Sequence, residues 1–185
     1  MNQLAPRIAP PSFESLSDAQ KRLYETTVRV LGGPVGPRMV LLNHPELAEK
    51  WAALADVIKN ASFSKRLREL VVLMVARHWT ADFEWYAHEK LALEAGLPIS
   101  VIDAIKIDVR PDFDDTADQA VYEYCSAIQK QHYVSDEVYD AALGLLGTLG
   151  IIELTALIGH YTSVSITLVA HRISLPSGQT PPFQA

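Results

Sequence analysis

Glu84 and His88 stand four residues apart, so a helix through them puts both side chains on one face, one turn apart, within reach of a shared hydrogen bond. A carboxylate beside an imidazole is a proton-handling pair. Burial raises a carboxyl pKa and lowers an imidazole pKa, whereas mutual attraction does the reverse, so spacing alone leaves the charge of such a pair open. Glu69 adds a second carboxylate, because its helical stripe continues through Val72, Leu73 and Ala76. A charge among aliphatic neighbours needs a polar partner, and the next helix offers Glu84 and His88. The expectation is a three-residue acid/base pocket of Glu69, Glu84 and His88. The plainer alternative for Glu84 and His88 is a solvated surface pair.

Arg77 and His78 close the first of these two helices and could bind a carboxylate. With equal weight, Arg77 pairs with an acidic helix residue and His78 caps a helix C-terminus, where cations are favoured. Trp85 could line the pocket, although Trp79, Phe83, Trp85 and Tyr86 are aromatics of the kind that dominate core and interface burial. His160 lies in a segment whose period otherwise marks core, together with Thr162, Ser163, Ser165, Thr167 and His171. It could line the same cavity or be a buried histidine with one local partner. Glu69 with Glu84 and His88 is conceivable as a metal set, but the chain lacks the Glu-x-x-His repeats of di-iron bundles and the His-Glu-x-x-His of zinc proteases. No metal and no cofactor are expected. Cys125 is the single cysteine, which excludes an intramolecular disulfide, a CxxC redox pair and a cysteine-rich zinc site.

These side chains require helices to hold them, and the period supplies them. Ser17 with Gln20 forms a capping box that opens a first helix, which stops at Gly32-Gly33-Pro34. Pro45 to Asn60 carries Leu47, Trp51, Leu54 and Ile58 at helical spacing. Ser64 caps a helix running to about Trp79, and Asp82 to Ala95 forms the next, ending at Gly96 as the residue just past its C-terminus. A short helix spans Ile99 to Lys106, followed by an acidic loop from Asp108 to Asp115. Three more helices read as Asp118 to Gln131, Ser135 to about Leu149, and Ile151 to about Arg172. No alternating strand of useful length is visible, so the fold class is all-α. One domain spans 1–185, with a Pro-rich arm over 1–16 and an irregular tail over 174–185 that could wrap a neighbouring subunit.

At 185 residues, with a net charge of -6 and 49% hydrophobic residues, the chain can bury a substantial core without disulfide or metal support. The acidic balance argues against nucleic acid as a partner. Glycines, Glu153 and His160 interrupt the apolar stretch from Ala141 to Ala170, and no secretory signal is visible, so no membrane partner and a cytoplasmic location are expected.

Three stretches resemble the carboxymuconolactone decarboxylase family, which includes the AhpD-like alkylhydroperoxidases. They are Arg68-Glu69-Leu70 leading to Val75-Ala76-Arg77-His78-Trp79, then Phe83-Glu84-Trp85-Tyr86-Ala87-His88-Glu89 with Ala95-Gly96-Leu97, and Glu153 to Gly159 with Tyr161-Thr162 and Leu175-Pro176. The resemblance implies an AhpD-like helical bundle with a central antiparallel helical hairpin, self-association as a trimer or hexamer, and a proton-relay site near the hairpin. In the peroxidase branch that site joins a glutamate, a CxxC pair and a histidine. Glu69 and His88 take the glutamate and histidine positions, but Ala81 and Glu84 stand at the two cysteine positions, so thiol peroxidase chemistry is rejected. The resemblance implies instead a cofactor-free decarboxylase acting on a small carboxylated lactone or related enolisable acid. His88 would donate the proton, Glu84 would orient it, Glu69 would hold a water or exchange a proton, and Arg77 or His78 would bind a carboxylate. A noncatalytic ligand-binding oligomer and a hydratase or dehydratase are the alternatives.

Overall fold

The computed structural model describes residues 5–9, 11–31 and 36–183; the expected stop at residues 32–34 lies outside them. Among the described residues there are eight α-helices and no strand. In chain order they are α1 (Asp18–Leu31), α2 (Arg38–Leu41), α3 (Pro45–Lys59), α4 (Lys65–His78), α5 (Asp82–Glu94), α6 (Ile99–Lys106), α7 (Thr116–Ser126) and α8 (Asp136–His171). The short α2 is an element that the period does not announce.

Helix α4 is the axis of the fold. Ser64 Oγ accepts from the Leu67 amide at 3.3 Å to start it, and Arg77 in the last turn places a cation where the helix dipole favours one. Its middle is solid core, since Leu70, Val71, Val72, Leu73, Val75 and Ala76 are all 0% exposed, and Glu69 is the buried polar group that leads into this aliphatic run. Helices α5, α6, α7 and α8 pack around α4, and α5 returns antiparallel to it through the turn at Trp79 to Ala81. Thr80 takes φ +50° in that turn, and Gly96 at φ +85° ends α5 as its sequence position implies. Asp115 caps α7 by accepting from the Ala117 and Asp118 amides, and Arg66 ties α4 to it at 2.7 Å from Asp115 and 2.9 Å from Asp118.

Two boundaries differ from the sequence reading. The helix read as Asp118 to Gln131 is α7 followed by a π-helical turn, Ala127–Gln131, which closes on His132 in the left-handed region at φ +56°. The break expected between Leu149 and Ile151 falls instead at Gly147, whose φ +67° and ψ 177° only glycine adopts without strain. Gly150 remains helical and buried, and serves close approach: a Cβ there would meet the Leu146 Cβ at 2.8 Å. Glu153, one turn on, accepts from the Ser62 amide at 2.8 Å and from its hydroxyl at 2.6 Å, which pins α8 to the α3–α4 link. By length and composition α8 is apolar enough to cross a membrane; 33% of its most apolar window is buried, and it packs against α4 and α7.

Both terminal segments dock on their own chain. Arg7 donates to the His171 carbonyl through its amide and to the Ala170 carbonyl through its guanidinium, satisfying the open C-terminus of α8. Within the described residues the tail packs on α5: Phe183 is buried against Trp85 at 5.2 Å, and its amide donates to Asp82 Oδ1. Burying that phenylalanine contributes about 1.5–3 kcal/mol.

Candidate active site

Glu69 is 2% exposed, and a carboxylate so placed must be satisfied by side chains. His88 Nδ1 lies 2.6 Å from Glu69 Oε2, and Arg68 Nη2 lies 3.5 Å from Glu69 Oε1. On the other edge of the imidazole, Nε2 lies 3.1 Å from Glu84 Oε1, the partner one turn earlier on α5. The hairpin brings all three residues together, with His88 bridging two carboxylates that come from different helices. An imidazolium donates at both nitrogens, so this arrangement suits the charged ring. Burial pushes the His88 pKa down, but the hydrogen bonds to Glu69 and Glu84 outweigh it and raise the value to about 9. The charged imidazolium is therefore the form that this setting favours at neutral pH.

An aromatic wall stands over the ring. Tyr161 meets His88 edge-on at 5.4 Å and His160 at 5.3 Å, and Trp51 meets His160 at 6.1 Å. His160 is buried, and burial lowers its pKa although Glu84 pulls the other way, so it stands neutral beside the charged His88. Burial, with Glu84 and Glu69 adding to it, raises the Tyr161 phenol and keeps it neutral as well.

Other candidates lie elsewhere. Arg77 and His78 line a separate recess near the hairpin turn; Arg77 is eight residues from Glu69, about 12 Å along the helix. Trp85 is 0% exposed and packed on Phe183, so it has no face for a ligand. The cation beside the carboxylates is Arg68, which the sequence names only within a matching stretch; its adjacency to Glu69 is the available signal. Tyr161 was likewise read only as part of a matching stretch. Among the described residues no group of three or more side chains is arranged to hold a metal ion, since Glu69 and Glu84 flank opposite edges of the imidazole. Cys125 is fully buried and burial raises its thiol pKa, far from a reactive thiolate.

No family model matches the sequence, and no curated protein does either. Solved structures do match. An AhpD-core, peroxidase-related protein from Ralstonia eutropha aligns over 93% of this chain and 93% of its own, with a TM-score of 0.76 at 15% identity. The debrominase Bmp8, as a cysteine-to-alanine variant in complex with 2,3,4-tribromopyrrole, aligns over 95% of each chain, with a TM-score of 0.73 at 15% identity. A protein of unknown function from Agrobacterium tumefaciens, described in relation to the antioxidant defence protein AhpD, aligns over 74% of this chain and 95% of its own, with a TM-score of 0.67 at 17% identity. The chain has the AhpD-like all-α fold.

Proposed function

We propose that the protein is a cofactor-free acid/base lyase that decarboxylates a small carboxylated lactone or related enolisable acid. The observation that carries this reading is the His88 imidazole held between Glu69 and Glu84 with its pKa raised to about 9. Loss of carbon dioxide breaks a C–C bond and leaves its electron pair on the substrate as an enolate, which must be protonated at carbon. His88 supplies that proton from Nε2, whose 3.1 Å contact to Glu84 is the longer of its two, while the 2.6 Å contact to Glu69 holds the ring. The neutral imidazole then regains a proton from solvent through its exposed edge, 15% of the side chain. Arg68 supplies positive charge beside Glu69, and the Tyr161 ring limits water at the site.

The reading includes a small-molecule substrate, a cytoplasmic location and self-association as a trimer or hexamer. Val57, Leu145, Leu149 and Ile152 are each at least half exposed and give a second copy apolar surface to cover. A monomer by light scattering would remove that part. A noncatalytic ligand-binding oligomer is the second reading, favoured by the occupation of both His88 nitrogens within the protein. Screening carboxylated lactones and β-keto acids for carbon dioxide release separates the two. Release by the native protein, lost in a His88→Gln variant that still folds by circular dichroism, supports the lyase; equal release by the folded variant, or none from any acid, overturns it.

A further inference from the structure

Helix α5 carries two members of the His88 site, yet its start has little local support. Ala81 stands at the N-cap and supplies no side-chain acceptor, and Thr80 before it holds φ +50°, a left-handed conformation that a β-branched residue adopts only under strain. Glu84 lies in the first turn of this uncapped helix, with Trp85 directly after it. Trp85 is the largest of the fully buried side chains, and its indole nitrogen has no hydrogen-bond partner among the described residues. A buried tryptophan usually pairs its N–H, so Trp85 is held by packing and not by a hydrogen bond.

The neighbour that completes this packing comes from the far end of the chain. Residues 176–181 are exposed, and Phe183 then returns to the protein and touches both arms of the hairpin. Its ring meets Trp85 at 5.2 Å and 70°, and its amide donates to Asp82 Oδ1 at 3.2 Å, both on α5. The Arg77 guanidinium of α4 lies 5.2 Å over the same ring. Helix α6 adds Lys106, 5.7 Å from the Trp85 ring. Removing the Phe183 ring leaves a cavity beside Trp85, into which the surrounding side chains relax in part. Because Trp85 adjoins Glu84 in an uncapped first turn, a shift of Trp85 carries that carboxylate with it. The groups that face His88 are Glu69 from α4, Glu84 from its own helix and Tyr161 from α8; the contact this movement alters is the one to Glu84, at 3.1 Å.

We propose that Phe183 and Trp85 are positioning residues: the C-terminal segment clasps the hairpin turn and thereby holds the Glu84 carboxylate against His88. The clasp concerns the site as it is built and does not depend on the lyase reading. The test is NMR titration of His88 in the full chain, read beside the melting temperature of each variant. Phe183→Ala should lower the His88 midpoint from about 9 toward 6.5, and Phe183→Tyr, which keeps the ring, should hold it at the native value. A lower melting temperature with an unchanged or raised midpoint in folded Phe183→Ala shows a purely structural tail and overturns the proposal. If Phe183→Ala fails to fold, Phe183→Leu, which keeps an apolar side chain but no ring, decides by the same two readouts. Carbon dioxide release is a separate measurement: its absence with every acid removes the lyase reading and leaves the clasp to be judged on the midpoint.

Discussion

His88 and His78 sit on the two arms of one hairpin, and their surroundings drive them to opposite charge states. Burial disfavours the charged ring in both. At His88 two carboxylates reverse that effect and carry the pKa to about 9; at His78 Lys130 and His132 reinforce it, and Asp108 opposes it too weakly to prevent a lowered value. The contrast shows that a histidine's role here is set by which partners the helices bring to it, and that burial alone does not decide it. The same division holds for hydrogen bonding: the His88 end is internally satisfied, whereas the His78 end keeps two buried donors without acceptors.

The contrast can be broken most sharply through turnover. His88→Gln should lower carbon dioxide release by about 10²–10⁴-fold, whereas His78→Gln should leave it nearly unchanged. Equal losses would show that the two ends do not differ in function. Stability gives the next effect. Glu69→Ala leaves a buried imidazolium without its closest partner and should cost about 3–5 kcal/mol in urea unfolding, against less than about 0.5 kcal/mol for the exposed His78→Ala.

Titration followed by NMR should place His88 near pH 9 and His78 below the ordinary 6.5. Because the folded value of His88 lies above its unfolded value, its contribution to stability is complete below about pH 6.5 and is lost as pH rises through about 9. Unfolding free energy measured across that window should fall more steeply in the native protein than in His88→Gln. The smallest effect concerns Lys130→Met, which should raise the His78 midpoint and leave that of His88 in place. A shift at His88 instead would show that the two ends are electrostatically coupled.

Much of this was legible before any coordinates. The Ser64 cap, the stop at Gly96 and the four-residue step from Glu84 to His88 are local features, and each acts over a single helical turn. Glu69 was legible by a different route, as a carboxylate on an aliphatic stripe that had to find a partner. What escaped was the fate of side chains near the hairpin turn. Arg77 and Glu69 share α4, but eight residues of helix separate them, and the recess that Arg77 lines is completed by α6, the loop after it, α7 and the π-helical turn. The π-helical turn and the break at Gly147 were also missed, because one extra residue in a turn barely alters the hydrophobic period and three nearby glycines offer equal places to bend.

The amino-acid order by itself determined an all-helical chain, the helices of the hairpin and the presence of one carboxylate that could not remain alone in its surroundings, since these follow from interactions among residues a turn apart. Only the tertiary structure decided that the Glu84–His88 pair would meet Glu69 and that His78 would face Lys130. Those pairings join residues on different helices, and their energies depend on distances and burial that no spacing along the chain can specify.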